Sequence, residues 1–344
     1  MRRIHIVPGL DAQWSGIAVA AKMIAREQGA AIVDADCCYE GELSDADEVW
    51  VHSVWTFKVW RACWKAMRRR KRLVRMLHGN VDPVRLRYHG WKKWLVGPIE
   101  RYFLRRADRI VATCEAEKGW IEAYLGKRCP TIEVTDIKRF FKLQGTGNRE
   151  QGTGNREQGI GKALHLLYLG RRHPLKGLEY LEEAVRQISS VPSSLLPVPP
   201  QLKVVSNAFG EEKERVWEWC DVLVLPTLSE NFGLVVAEAL ERGKRVITTD
   251  GAPAWGGDSL EFRVLSSEFR VSSVGVGKNS HVEHVDHVEG EGSLEFRVQS
   301  LEFGGEIWSG YGGRLLYLVG YRDGTRNCRV GLLKEAIEWL VASG

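Results

Sequence analysis

The stretch from Asp221 to Asp250, DVLVLPTLSENFGLVVAEALERGKRVITTD, constrains the fold more than any other part of the chain. Its pattern predicts a buried strand at 222–225, a helix from about Phe232 to Arg242 and a second strand at 245–248. A strand, a helix and a second strand in this order form one βαβ unit, which is the building block of a parallel sheet.

The loop before this helix predicts an anion-binding site. The first amides of a helix have no partner within the helix, so those of Phe232, Gly233 and Leu234 should point unpaired into the crevice above the strand ends. Gly233 has no side chain to keep a phosphate off the backbone, and the positive end of the helix dipole adds attraction.

Two carboxylates, Glu230 and Glu238, flank this predicted site. Eight residues of helix span about 12 Å, which suits a nucleoside diphosphate sugar lying along the site. Sugar hydroxyls would meet Glu230 and ribose hydroxyls would meet Glu238, because carboxylates accept hydrogen bonds from hydroxyls. For an isolated pair the simpler interpretation is that Glu230 caps the helix and Glu238 lies on its solvated face.

A second segment upstream, LYLGRRHPLKGLEYLEEAV, begins with a strand predicted over 163–170 and continues into a basic loop. Pro174 suits the first turn of a helix, so Lys176 should lie near the helix N-terminus, with Arg171 earlier in the same loop.

Together these segments resemble a known enzyme family. SENFGLVVAEAL resembles the E-x7-E motif of retaining glycosyltransferases of family 4, and LYLGRRHPLKGLEYLEEAV resembles that family's strand, G-R loop and K-G helix start. The two segments also stand in the family's order. The resemblance implies an α/β chain with the GT-B fold, in which two Rossmann-like parallel-sheet domains face each other across a cleft.

By spacing, Arg171 and Lys176 match the family's basic pair that clamps the donor diphosphate. A leaving diphosphate gains charge as the glycosidic bond breaks, and fixed cations can stabilise it without a metal. The implied co-substrate is a nucleotide-diphosphate sugar, with no metal and no other cofactor. The alternative is that both bases are ordinary surface cations.

The N-terminal half alternates strands with helices, which predicts a parallel sheet. Its first loop contains Ser15 and Gly16 and opens an apolar helix to about Glu27. It resembles the family's first loop, usually Gly-Gly, which lies against donor and acceptor, and Ser15 replaces the first glycine. Gly16 is therefore the candidate for close backbone approach. Further strands are predicted at 31–34, 48–54, 73–78, 109–113 and 130–134, with helices at 57–70, 91–107 and 115–125.

His78 ends the strand predicted at 73–78, which places an imidazole at the carboxyl edge of the sheet, where α/β proteins bind ligands. The family often has a histidine at a corresponding strand end near the transferred sugar, and the resemblance implies that role for His78. A purely structural role is the alternative.

Residues 57–110 carry 17 Lys and Arg against three acidic residues, with aromatic residues interleaved. Bases with aromatics suit an anionic membrane surface or a lipid-linked phosphorylated acceptor, since each base near such a surface contributes about 1 kcal/mol. Solvated helix faces with aromatic stems in the core are the alternative. No nucleic-acid-binding motif is present, so nucleic acid is not predicted as a partner.

Metal binding is not predicted. The D-x-D pairs at 34–36 and 45–47 lack the supporting context of a metal site, and the three histidines within 281–287 lie in an acidic tract of low complexity. The apolar run at 4–7 is too short for a secretory signal and no stretch approaches 18 apolar residues. We therefore expect a cytoplasmic protein, peripheral at the inner face of the membrane.

The 344 residues suffice for two α/β domains. We predict an acceptor-side domain over 1–142, a low-complexity linker with QGTGNRE repeats over 143–162, and a nucleotide-sugar-binding domain over 163–258. A repeat insertion follows over 259–305, and a C-terminal segment with a closing helix over 306–344.

The function predicted from the sequence is retaining transfer of a sugar from a nucleotide-diphosphate sugar to a hydroxyl of a glycolipid or lipopolysaccharide-type saccharide. Two alternatives stay open: a nucleotide-sugar epimerase of the same fold, and a catalytically inactive scaffold that binds a nucleotide or an anionic membrane. The sequence does not specify the base, the sugar or the linkage.

Overall fold

The chain divides into two compact units, Met1–Phe140 and Phe141–Gly344. The QGTGNRE repeats and the histidines of 281–287 lie outside the described residues. The computed structural model describes residues 1–12, 15–37, 39–143, 163–191, 198–206, 208–256, 296–298, 306–310, 315–319, 321–322 and 324–342.

The first unit contains a six-stranded parallel sheet, as its alternation of strands and helices predicted. The spatial order is β2-β1-β3-β4-β5-β6. The strands are β1 (Arg3–Val7), β2 (Ala31–Asp34), β3 (Glu48–His52), β4 (Arg72–Met76), β5 (Arg109–Ala112) and β6 (Thr131–Val134).

Five helices connect these strands. The sequence did not predict the second, which is only six residues long, and it placed the start of the fourth near residue 91. The fourth helix region begins earlier, at Pro83, capped by Asp82, but Gly90 inside it is not helical (φ 51°, ψ −133°) and divides it into two helices. The predicted start near residue 91 matches the second of these two. The helices are α1 (Gly16–Glu27), α2 (Glu40–Asp45), α3 (Phe57–Arg68), α4 (Pro83–Leu104) and α5 (Glu115–Leu125).

The second unit contains a seven-stranded sheet in the order β11-β12-β13-β10-β9-β7-β8. Strands β7 to β10 and β13 are parallel, whereas β12 pairs antiparallel with β13 and β11 antiparallel with β12. The strands are β7 (His165–Leu169), β8 (Gln201–Val205), β9 (Val222–Leu225), β10 (Arg245–Thr249), β11 (Phe296–Val298), β12 (Glu306–Gly310) and β13 (Leu315–Val319).

The sequence analysis placed no strands at β12 and β13. β11 lies inside the tract 259–305, which we expected to be an insertion, although its alternation of apolar and charged residues also allows strands of an added hairpin. The backbone of β11 pairs antiparallel with β12 and extends the sheet. The helices of this unit are α6 (Leu178–Ser189), α7 (Gly210–Trp219), α8 (Leu234–Glu241) and α9 (Arg326–Ala342). α9 packs against α6.

Helix α8 begins at Leu234 and not at Phe232 as predicted. Gly233 adopts a left-handed conformation (φ 68°, ψ 64°), which excludes it from the helix. The spacing of about 12 Å inferred for Glu230 and Glu238 therefore does not hold, because only Glu238 lies on the helix.

In the part of the chain that the structure describes, no helix combines the length and the apolar character that crossing a bilayer requires.

Candidate functional site

Three loops meet at the carboxyl edge of the second sheet, and the first two are in direct contact. Gly177 (φ 64°), in the loop after β7, lies so close to the loop after β9 that a Cβ there would stand 1.9 Å from the Pro226 carbonyl oxygen. The Leu228 amide and the Thr227 hydroxyl both donate to the Leu175 carbonyl, at 2.8 and 3.0 Å. The positions of the two loops are thus fixed together.

The loop after β10 joins the same cluster. A Cβ at Gly251 would stand 2.1 Å from the Thr227 carbonyl oxygen, so only glycine allows this approach. The Glu230 amide donates to the Gly251 carbonyl at 2.7 Å. Glu230, which the sequence identified as a candidate, is therefore held by its own backbone at the point where the three loops converge.

The predicted basic pair lies in this loop cluster. Lys176 forms an ion pair with Glu230, and both side chains are largely buried. Because an ammonium has three N–H donors, Lys176 keeps donors for a phosphate while it holds Glu230. Arg171 is exposed and has no ion pair within the described residues. Its neighbour Arg172 is also exposed but lies 3.5 Å from Glu182.

Tyr168 fixes the backbone of this loop. Its hydroxyl donates to the Arg171 carbonyl at 2.8 Å. Burial, and then the negative charge of Glu230, raise the pKa of Tyr168 to about 12, so the phenol remains a donor at neutral pH.

The predicted amides lie at the start of α8, next to Glu230. No backbone partner among the described residues accepts from the amides of Gly233 and Leu234. Phe232 lies differently from the expectation of a helix start: it is buried, its ring packs against Trp255, and its carbonyl accepts a hydrogen bond from the Trp255 indole. The left-handed turn at Gly233 separates Phe232 from the helix.

Glu238 forms an ion pair of 2.6 Å with Lys213 on α7. The sequence analysis missed Lys213, because nothing in the local pattern of α7 shows that it faces α8. A ligand that uses Glu238 must therefore bind to a carboxylate that already has a cation beside it.

In the first unit, His78 follows β4 in a left-handed backbone conformation (φ 55°) that is unusual for a residue with a side chain. It is 6% exposed. Next to it, the Gly79 amide donates to the buried carboxylate of Glu117, which also accepts from the amide and hydroxyl of Thr113. The turn that carries His78 is thus held by buried hydrogen bonds.

His78 is also the end of a buried chain of hydrogen bonds that the sequence analysis missed. His78 Nε2 lies 2.9 Å from His52 Nδ1, His52 Nε2 lies 2.9 Å from His5 Nδ1, and His5 Nε2 lies 3.1 Å from Gln28 Oε1. Successive imidazoles are stacked, and Trp50 stacks on His5. The only sequence clue is that β1, β3 and the turn after β4 each carry a histidine.

Burial lowers the pKa of all three histidines, to about 4 for His5 and about 3 for His78, and well below the ordinary value for His52. Removal from water penalises the charged imidazolium, so the three rings are neutral at physiological pH.

Gly16 is the exposed first residue of α1. Ser15, which replaces the first glycine of the family's loop, caps this helix: its hydroxyl accepts from the Ala18 amide at 3.2 Å. The serine thus has a local structural reason to be there.

The basic region of the first unit exposes an apolar face on α4. Trp94 is 81% and Leu95 62% exposed, and Ile99 and Tyr102 are exposed on the same side of the helix. Arg106 lies over the Tyr102 ring at 4.5 Å. Phe103 and Leu104 of the same helix are buried in the core, so the alternative of aromatic stems in the core describes one part of this region and the exposed face another.

Solved structures of similar proteins show which fold the two units have. The trehalose-6-phosphate synthase OtsA aligns with a TM-score of 0.51 at 11% identity, over 74% of this chain and 86% of its own. HepE from Anabaena, in complex with UDP and glucose, aligns with a TM-score of 0.50 at 14% identity, over 74% and 82%. The two α/β units therefore have the GT-B fold. No curated protein sequence is similar enough to count as a relative.

Family models then identify both units. Residues 38–135 match the glycosyl transferase 4-like domain, and residues 163–257 match the glycosyl transferases group 1. Together the two matches cover more than half of the chain. The protein is a glycosyltransferase and belongs to the family that combines these two domains.

Proposed function

We propose that the protein transfers a sugar, with retention at the anomeric carbon, from a nucleotide-diphosphate sugar to a hydroxyl of a glycolipid or lipopolysaccharide-type saccharide. The observation that carries this proposal is the loop cluster of the second unit, which brings Arg171, Lys176, Glu230 and Gly233 to one sheet edge. Retention rests on the resemblance to family 4 enzymes, and the acceptor class rests on the bases and aromatic residues of the region 57–110.

The donor diphosphate fits the charges of this cluster. Arg171 is exposed and Lys176 has unused donors, so both cations can bind phosphate oxygens. The amides of Gly233 and Leu234 add donors that need no side chain. Because these groups are fixed before the reaction, they can stabilise the charge that grows on the leaving diphosphate without a metal ion.

The sugar and the nucleoside would meet the carboxylates. Glu230 would accept from donor-sugar hydroxyls beside Lys176, and Glu238 would accept from the ribose hydroxyls beside Lys213. His78 is proposed to contact the reacting sugar, and Gly16 to allow close approach of the ligand to the first loop.

The test is turnover with a panel of nucleotide sugars, starting with UDP-glucose because the similar protein HepE binds it. Transfer with an unchanged anomeric configuration, measured by NMR, supports the proposal. Inversion excludes retention. Isomerisation of the sugar indicates an epimerase, and binding without turnover indicates an inactive scaffold.

Two neighbouring arginines offer a matched pair for the diphosphate assignment. Arg171→Ala should weaken UDP binding about tenfold or more, since hydrogen bonds to charged groups contribute about 1.5–3 kcal/mol. Arg172→Ala removes an equally exposed base next to it and should change binding less than twofold. If the two variants bind UDP alike, or if a chelator abolishes binding, the proposal that Arg171 and Lys176 bind the diphosphate without a metal ion is wrong.

We further propose that the protein lies peripherally on an anionic membrane at the cytoplasmic face, through the exposed face of α4. Trp94, Leu95, Ile99 and Tyr102 supply the apolar contact and Arg106 a cation. Several bases of the same region form ion pairs with carboxylates outside it, so the free charge is smaller than the sequence count. These bases are Lys58, Lys65, Arg69, Arg72 and Arg109.

Sedimentation with vesicles tests this surface. Replacing both Trp94 and Leu95 by Ser should abolish binding to anionic vesicles, and salt should weaken the binding of the parent protein. Trp339→Ser, which changes an exposed tryptophan of α9, is the control and should bind as the parent does. Equal sedimentation of the parent with neutral and anionic vesicles would refute the proposal.

A further inference from the structure

The chain of groups from Gln28 to His78 has a direction. A neutral imidazole carries one N–H and one lone pair, so each ring in a row must donate on one side and accept on the other. The four groups are linked through His5 and His52, with both ring nitrogens of each used. The protonation of one nitrogen therefore fixes that of all the others.

The orientation of the Gln28 amide sets this direction. Its oxygen, and not its nitrogen, faces His5 Nε2 at 3.1 Å, and because an amide oxygen only accepts, the proton in this orientation is on His5 Nε2. His5 Nδ1 must then accept from His52 Nε2, and His52 Nδ1 from His78 Nε2. An amide cannot take up a proton at neutral pH. The chain is consequently closed at Gln28 and does not conduct protons.

We propose that Gln28, His5 and His52 are positioning residues that hold His78 in its Nε2–H tautomer, so that His78 Nδ1 presents a lone pair to a hydroxyl of the bound sugar. Nδ1 has no partner among the described residues, and His78 is at the carboxyl edge of the first sheet. A neutral acceptor suits a hydroxyl, which donates without carrying charge. The inference rests on the proposed function, which brings a sugar to this edge.

The opposite arrangement would contain the same hydrogen bonds, but with the donor and the acceptor of each exchanged. If the group at position 28 donated, every hydrogen bond would reverse and His78 Nδ1 would carry the proton. Its nitrogen would then face the hydroxyl as a donor. The orientation of the glutamine amide, with its oxygen or its nitrogen toward His5, thus selects between two states of a residue three hydrogen bonds away.

Position 28 allows a direct test, because it lies at the more accessible end of the chain. Gln28→Glu places an acceptor beside His5 and should retain the tautomer, whereas Gln28→Lys places a donor there and should reverse it. The readout is the ¹⁵N NMR spectrum of the His78 ring in the ligand-free protein, assigned with His78→Gln. His173, which accepts from the Leu175 amide elsewhere, is an internal control whose spectrum should not change.

The NMR result decides the tautomer part whether or not the protein transfers a sugar. Protonation at Nδ1 of His78 in the parent, or at Nε2 in Gln28→Lys, overturns the inference. If Gln28→Lys does not fold, His52→Phe serves instead: it removes the acceptor of His78 Nε2 and should give a mixture of tautomers. An unchanged His78 spectrum in that variant would also overturn the inference.

Activity tests the contact with the sugar. Gln28→Lys should lower kcat/KM about tenfold, as expected for one misplaced hydrogen bond, and Gln28→Glu should restore it to within about twofold. Trp50→Phe keeps an aromatic ring on His5 and leaves the chain intact, so it should transfer sugar as the parent does. A reversed tautomer with unchanged kcat/KM would refute the contact while leaving the proposed transfer standing.

Discussion

The carboxyl edges of the two sheets are both formed where parallel strands end, but one carries neutral side chains and the other carries charged ones. The edge of the first sheet ends in His78, a buried neutral ring held by other neutral rings. The edge of the second carries Arg171, Lys176 and Glu230, which are charged and partly open to solvent. The difference lies in burial, because an imidazole enclosed by protein loses its charge whereas an exposed or paired base keeps it.

This contrast matches the two kinds of group in a nucleotide sugar. A sugar ring offers uncharged hydroxyls, which a neutral acceptor can orient. A diphosphate offers charge, which needs cations and amides. The fold supplies similar positions in both units, and the side chains make one edge suitable for orientation and the other for charge.

The largest expected effect is a dependence of stability on pH, and it tests the neutral edge, which is the carboxyl edge of the first sheet with His78. Free histidine has a pKa near 6.5, whereas burial lowers the pKa to about 4 in His5 and about 3 in His78. Below pH 6.5 the unfolded chain therefore binds protons that the folded protein does not, and the free energy of unfolding should fall as pH decreases. The slope approaches about 1.4 kcal/mol per pH unit for each ring.

Urea unfolding between pH 7 and 5 measures this slope. His78→Gln should reduce this slope by the contribution of one ring. His173→Gln, at an exposed turn of the second unit, should leave the slope unchanged. A flat profile in the parent would show that the buried rings bind protons in the folded protein as they do in the unfolded chain, and the comparison of the two edges would fail.

The next effect tests the rigid packing of the charged edge. Gly177→Ala should destabilise the protein by about 3 kcal/mol or more, because the added Cβ meets the Pro226 carbonyl in a left-handed backbone conformation. Gly243→Ala has the same backbone strain but open space around it, so about 1 kcal/mol is expected. Gly119→Ala, inside α5 with open space, should stabilise by about 0.5–1 kcal/mol. Thermal unfolding ranks the three, and equal losses at Gly177 and Gly243 would contradict close packing of the loops.

A nucleotide should stabilise the protein through the charged edge. UDP at 100 times its dissociation constant should raise the free energy of unfolding by about 2.7 kcal/mol in the presence of a chelator. Lys176→Met should remove most of this gain at the same UDP concentration. If His78→Gln removes it instead, the assignment of diphosphate to the second unit is wrong.

The smallest effect concerns the pair formed by Lys213 and Glu238. Because the pair is partly exposed, Lys213→Met should change stability by less than about 1 kcal/mol. It should alter binding of UDP more than binding of free pyrophosphate, since Glu238 is proposed to meet the ribose. Arg242→Met, which breaks a similar pair with Glu214, is the control and should affect neither ligand. Calorimetric titration with both ligands distinguishes the variants.

The sequence predicted what depends on local pattern. Strands β2 to β7, β9 and β10 and most helices follow from apolar periodicity, and the GT-B fold follows from two motifs that are each continuous in the chain. The family models and the solved structures confirm that fold. The candidate site residues of the second unit, apart from Glu238, lie in the loops after β7 and β9 and at the start of α8, because the βα loops of a parallel sheet open on one edge.

The features that were missed depend on contacts between distant segments. Lys213 reaches Glu238 only because α7 and α8 are neighbours, and the histidines meet only through the register that places His5 beside Trp50 and His52 two residues further along β3. The start of α8 was misplaced because Gly233 was interpreted as a helical residue and not as a left-handed turn before the helix.

The sequence of β11, the strand at one edge of the second sheet, occurs more than once in the chain. β11 is the Phe-Arg-Val of the copy SLEFRV that begins at residue 293, and the same three residues recur at 262–264 and 269–271. Only the backbone of β11 pairs with β12, and backbone pairing is the same for any copy. A gene that loses one copy through slippage between repeats would still encode a candidate for this position. Variation in repeat number can therefore change the length of the chain without necessarily removing the edge of the sheet.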